Sequence, residues 1–338
     1  MSVNRYTTES GLQTLANGQR TWIGTKDAYE AAKQAGTLPN DCLIAITDDE
    51  NDRAVSGTNL LDNPWFTVNQ RGQSSYSGLG YTVDRWRGLT NSSTTVNSDN
   101  TLTLGNVAAS SWIQEYLEPT FSAMLLGKVV TFSVMLSNGD VYSRTDTVPI
   151  ALPSSSYTEF CRISGIPNAA TATELLLHSD GRLIAQIGAA ANASLTIRAA
   201  KLEIGTASTL ENDIVPNYAT ELLKCQRYFY RMKASPSYGA LGIGYGWTFG
   251  TTNCRACISL PTKMRAVPTL TLNNKDLFRW TINGSAYTPV TCNVVLSNDM
   301  QNITIRETGL SGLTSNMLCI FRGDIGTEPA IIDFSADL

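Results

Sequence analysis

Charge is scarce in this chain: Asp, Glu, Lys and Arg make up only 16% of 338 residues. Histidine occurs once, at His178. A Ser-His-Asp or Cys-His arrangement therefore has to be built on His178, which lies in the turn-like context LLLHSDG with no G-x-S-x-G elbow. No run of about 18 apolar residues is present, so no membrane insertion is expected. The first eleven residues have no apolar signal core, which predicts assembly in a cytoplasm without standard export. The formal charge of -4 and pI of about 5.2 argue against nucleic acid as a partner. Seven scattered cysteines make no disulfide framework. Cys254 and Cys257 form a C-x-x-C without a second pair, and positions three apart on a strand face opposite ways, so they read as buried strand cysteines. The acidic run 48–52 lacks the glycine and closing glutamate of a calcium loop and reads as a solvated turn. No metal and no cofactor are expected.

What is abundant is Ser, Thr, Asn and Gly between short alternating segments, the composition of a mostly β protein rich in tight turns. Three regions emerge. Residues 1–56 read as strand (21–24), helix (26–35, capped by Thr25 and ended by Gly36) and apolar strand (42–47). This module is too small to bury a core alone, so it is expected to attach to copies of itself or to a larger assembly. Residues 57–216 carry strand candidates at 67–69, 81–87, 101–107, 129–136, 141–148, 158–163, 174–178, 182–186 and 195–203. SNGD at 137–140 and HSDG at 178–181 are hairpin signals. This spacing indicates a β-sandwich, with a jelly roll as the expected arrangement. Residues 111–126 are ambiguous, with helical periodicity interrupted by Pro119. Residues 217–338 form a β-rich tip region, with a short helix at 218–226 and strands at 227–233, 239–250, 256–260, 269–273, 290–296, 303–308 and 317–324. The glycines of GALGIGYGWTFG do not match a phosphate-binding loop.

Several segments are similar to known proteins: NLLDNPWFTVNQRG (59–72), GYTVDRW (80–86), AAKLEIGT (199–206), LLKCQRYFYR (222–231), MRAVP (264–268) and the run from Trp22 to Glu50. Together they resemble tailed-phage and prophage fibre proteins, head or tail, with a carbohydrate-binding-module-like jelly-roll domain. The resemblance implies a homotrimeric fibre on the virion, held to other virion proteins through residues 1–56. It also implies adhesion to host-surface polysaccharide or another receptor.

Sugars offer apolar C–H faces rimmed by hydroxyls, so an exposed aromatic ring beside polar groups can hold one without a cofactor. The candidates are Tyr76, in the loop-like QSSYSGLG, with Trp65, Trp112, Tyr238 and Trp247. Tyr81, Trp86, Tyr245 and Trp280 are weaker. Trp86 and one of Trp65 and Phe66 read as core, because large aromatics are mostly buried. Glu115, Glu118, Asp140 and Glu159 are the carboxylates of the middle region, and nothing in the sequence singles out a catalytic pair among them. No short β-helix repeat is evident. The expected role is therefore adhesion rather than catalysis. Two alternatives remain: a structural head fibre or capsid decoration protein, and a glycan-degrading fibre enzyme, which two carboxylates in one cleft would favour.

Overall fold

The computed structural model describes residues 11–14, 20–24, 31–36, 43–46, 57–105, 109–169, 173–234, 240–287, 293–295, 300–324 and 328–337. The protein is mostly β, with 44% strand and 9% helix. It divides into two compact units, Met1–Gly57 and Thr58–Leu338.

In the first unit, β1 (Gly11–Thr14) runs antiparallel to β2 (Arg20–Gly24), and β2 pairs in parallel with β3 (Leu43–Ile46). A parallel pair needs a crossover, and residues 31–34 between the two strands are helical.

The second unit begins with two six-stranded antiparallel sheets. The first contains β4 (Ser75–Ser77), β7 (Ser93–Val96), β8 (Leu102–Gly105), β10 (Val129–Leu136), β11 (Val141–Thr147) and β15 (Ser194–Ile204), in the order β11-β10-β15-β8-β7-β4. The second contains β5 (Gly80–Tyr81), β6 (Arg87–Gly88), β9 (Ser111–Tyr116), β12 (Tyr157–Arg162), β13 (Glu174–His178) and β14 (Leu183–Ala189), in the order β12-β13-β14-β9-β6-β5. Alternate residues of both sheets fill one core, with Phe132, Val134, Leu102, Leu104 and Leu202 from one and Ile113, Leu175, Leu183, Ala185 and Ile187 from the other. Trp86 is fully buried in this core and meets Phe66 edge-on, ring centroids 5.4 Å apart. Trp65 is the half-buried member of that neighbouring pair, packed on Met135, Ala199 and Leu210.

Three local expectations need correction. Residues 81–87 are not one strand. They form β5, a tight turn and β6, because Arg85 adopts a left-handed φ of 72° that breaks the alternation. Residues 67–69 are not a strand either. Residues 111–126 resolve into β9 followed by the helix Pro119–Ala123, with Pro119 starting the helix rather than interrupting it, since its missing N–H costs nothing there.

The rest of the second unit holds the helix Tyr218–Gln226, capped by the Asn217 side chain, and two more sheets. One is β16 (Phe229–Lys233), β25 (Ile331–Ser335) and β19 (Thr269–Leu272). The other orders β21 (Ser285–Tyr287), β20 (Phe278–Ile282), β24 (Leu318–Asp324), β17 (Ala240–Thr248), β18 (Cys254–Ser259), β23 (Asn302–Glu307) and β22 (Asn293–Val295). They share a second core around Trp280, Phe321, Phe278, Ile332 and Phe334. Trp280 is therefore a core residue: FRWTI is a strand that alternates Phe278, Trp280 and Ile282 inward. Cys254 is buried as expected, but Cys257 is exposed, because strand alternation turns it to the opposite face of β18.

Candidate functional site

The outward face of the β12-β13-β14-β9-β6-β5 sheet carries a groove of about 380 Å³. Strand alternation decides its lining. With Ile113, Leu175, Ala185 and Ile187 turned to the core, Gln114, Tyr116, Glu174, Leu176, Ile184 and Gln186 must face the other way.

Register then stacks these side chains into rows across the strands. Arg162 pairs with Glu174, Glu174 with Gln186, Gln186 with Gln114, and Gln114 with Arg87. The row is hydrogen-bonded in one direction. Tyr116 O–H donates to Gln114 Oε1 at 2.5 Å, Gln114 Nε2 donates to Gln186 Oε1, and Gln186 Nε2 donates to Glu174 Oε1 at 3.2 Å. Arg162 closes the far end by donating Nε and Nη2 to Glu174 Oε2 at 3.1 and 3.0 Å. Burial raises the Glu174 carboxyl above the ordinary range, with the Arg162 hydrogen bond pulling against it.

Beside this polar row runs an apolar strip of Tyr116, Leu176 and Ile184, all buried against one another. The opposite rim holds Tyr157, His178 and Arg182. Arg182 sits 5.0 Å above the Tyr116 ring and is anchored to Asp180 at 2.7 Å. Asp180 also lies 2.8 Å from His178 Nδ1. Its slight burial is outweighed by those hydrogen bonds, which hold its pKa down at about 2. A band of amide, carboxylate and guanidinium groups beside an apolar strip, with the exposed Tyr157 ring at the rim, is the chemistry that receives a polyhydroxylated ring.

The residues expected from sequence fall in different places. Trp112 lies on this same face of β9, two positions before Gln114, opposite Gly188; its Nε1 is buried without a hydrogen-bond partner. Tyr76 is on the strand β4 rather than in an open loop and is buried, its hydroxyl donating to Asn69 Oδ1 at 2.5 Å. Trp65 packs in the small cluster described above. Trp247 is exposed on β17, with Arg255 4.1 Å from its ring centroid and the exposed Tyr245 two residues away. Tyr238 lies outside the described residues. The groove residues Gln114, Tyr116, Tyr157, Glu174 and Gln186 were not anticipated. The available signal was the i, i+2 spacing of Trp112, Gln114 and Tyr116.

A second cleft, of about 310 Å³, lies between the sandwich and the helix Tyr218–Gln226. It brings together Asp62, Glu115 and Glu118, so two of the four carboxylates noted in the sequence line one cleft, whereas Asp140 and Glu159 do not. Its charges are matched internally. Arg85 Nε donates to Asp62 at 3.1 Å and Nη2 to the Tyr116 carbonyl at 2.7 Å, with its guanidinium 3.5 Å from the Tyr228 ring centroid. Glu115 Oε1 accepts from the Asp62 N–H at 2.8 Å, and Glu118 is held by Arg227 and Tyr228. Burial pushes Glu115 well above the ordinary carboxylate range, against the pull of Arg85. The Glu118 contacts hold the residues that follow the helix, and the Asn63 N–H, donating to Glu221 Oε2 at 2.9 Å, ties the helix itself to the sandwich. Further ties run from Arg71 to Asp337 at 2.9 Å and from Gln70 to the Phe229 carbonyl at 2.7 Å.

Among the described residues no group of three or more His, Cys, Asp or Glu side chains could hold a metal ion, and no helix is long and apolar enough to cross a membrane. Neither a protein-family model nor a curated protein sequence matches the chain.

Proposed function

We propose that this protein is a saccharide-binding adhesin of a tailed-phage or prophage virion. In this reading it is a homotrimeric fibre with a jelly-roll middle domain. Residues 1–56 attach it to other virion proteins, and the groove on the β9-β13-β14 face reads host-surface polysaccharide without altering it. The observation that carries this is the pairing of a directed polar row, Tyr116 to Glu174, with the apolar strip Tyr116, Leu176 and Ile184. The first suits hydroxyl rims and the second C–H faces. The virion assignment is supported by the segments 59–72, 80–86, 199–206 and 222–231.

The test is binding of labelled full-length protein to intact bacterial cells, before and after periodate oxidation of their surface sugars. Saturable binding that oxidation abolishes is the expected result. Binding insensitive to periodate overturns the saccharide reading, and no binding by the assembled oligomer favours a structural role on the virion.

The cleft shared by Asp62, Glu115 and Glu118 favours one other reading, a glycan-cleaving fibre. A buried, proton-holding Glu115 suits a general acid. Release of reducing ends from surface polysaccharide, lost in Glu115→Gln and Glu118→Gln, would establish it.

A further inference from the structure

The groove is electrostatically matched except at one end. Arg182 is paired with Asp180, and Glu174 with Arg162. Arg87 has no counterpart: among the described residues its guanidinium makes neither an ion pair nor a hydrogen bond. It is half-buried in the groove lining, and register sets it directly beside Gln114. Gln114 does not serve it, because its carbonyl oxygen is turned to Tyr116 and its NH2 to Gln186. A guanidinium cannot relieve this by losing its proton. Partly withdrawn from water and without an acceptor, it is a fork of donors waiting for an anion.

We propose that the saccharide held in this groove is acidic, with a sugar carboxylate seated on Arg87. A carboxylate presents two coplanar oxygens that match the guanidinium fork, whereas a neutral hydroxyl offers a single weaker acceptor. The sugar ring then extends from Arg87 along the Gln114–Gln186 row, its C–H face on Tyr116 and Ile184. This inference rests on the saccharide-binding reading and narrows its substrate class.

The experiment titrates full-length protein with a panel of uronic-acid-bearing bacterial surface polysaccharides. Each is also tested after carbodiimide–borohydride reduction, which turns every carboxylate into a primary alcohol and leaves the rest of the sugar intact. The expected result is binding at least about tenfold tighter to the acidic form. Arg87→Gln should remove that preference and Arg87→Lys should keep part of it, since lysine retains the charge but not the fork. Unchanged thermal unfolding of both variants shows that the fold persists. Equal binding of acidic and reduced forms overturns the acidic class and leaves the saccharide reading standing. A preference that survives in Arg87→Gln overturns Arg87 as the seat. Failure to bind any member of either set overturns both readings.

Discussion

Gln186 Nε2 donates to Glu174 Oε1 at 3.2 Å across β14 and β13, which makes Glu174 the final acceptor of a chain that starts at the Tyr116 hydroxyl. Each member takes its orientation from the next, so the chain holds the groove floor in one arrangement. Buried polar chains of this kind behave as a unit: removing one link takes a partner from each of its two neighbours.

Gln186→Leu keeps the volume of the side chain and removes the central link. Gln114 and Glu174 then lose a partner inside the groove, at a cost of about 1–3 kcal/mol in stability. Saccharide binding should fall by more than the same substitution made at an exposed position away from the groove. Calorimetric titration alongside chemical denaturation measures both. Undiminished affinity in a folded Gln186→Leu protein places the sugar elsewhere.

Glu174 also sets a pH dependence. Its folded pKa lies above the ordinary value of 4.5 because burial disfavours the charge. The folded state therefore holds the proton longer than the unfolded chain. Its contribution to stability declines as pH rises from about 4.5 through the folded pKa, and levels off above it. In Glu174→Gln this segment of the stability–pH curve should be absent, as urea unfolding at stepped pH would reveal. A variant curve parallel to that of the native protein contradicts the assignment.

Two tyrosines should separate binding from folding. Tyr157 is 57% exposed at the groove rim, and Tyr76 is 9% exposed beneath Asn69 and Gln73. Tyr157→Ala should weaken saccharide binding by roughly five- to thirtyfold, the loss of one ring contact, with little change in melting temperature. Tyr76→Ala should lower the melting temperature, at about 2–4 kcal/mol, and spare binding to the folded fraction. Differential scanning fluorimetry and a binding titration on both variants make the comparison.

Arg85 joins the sandwich to the chain just after the helix: its hydrogen bonds stay within the sandwich, and its guanidinium lies over the Tyr228 ring. Arg85→Ala leaves Asp62, Glu115 and the Tyr116 carbonyl without their buried partner and should cost about 3–5 kcal/mol. Proteolysis is expected to attack the region after residue 216 first in this variant. A melting temperature within 2 °C of the native value would show that the tie is dispensable.

The proposed trimer predicts a sedimenting species of about 110 kDa, three times the chain mass of 36.6 kDa. A stable 36.6 kDa species at micromolar concentration would refute it.

Much of the fold was legible because local chemistry decides it. SNGD at 137–140 turns β10 into β11 because Asn138 and Gly139 suit a tight turn, and Gly139 has a φ of 93°. Trp86 is core as its size predicts, although it lies outside any strand. The candidate site was less legible. Much of its floor is set by register between strands far apart in the chain, and nothing local announces that Arg87 or Gln186 will lie beside Gln114. SWIQEY was hidden by a second periodicity, since the same residues satisfy a helical pattern up to Pro119. The stretch 81–87 misled for the opposite reason: its alternation is genuine in sequence, but Arg85 turns left-handed and folds it back.

The polar row draws on strands β6, β9, β14, β13 and β12, so no part of the unfolded chain can offer it to a ligand. By mass action, a saccharide at a hundred times its Kd then adds about 2.7 kcal/mol to the stability of the whole sandwich. On the proposed reading, a cell surface crowded with that sugar would act as a protecting agent: the attached chain should resist heat and protease better than the same chain adrift.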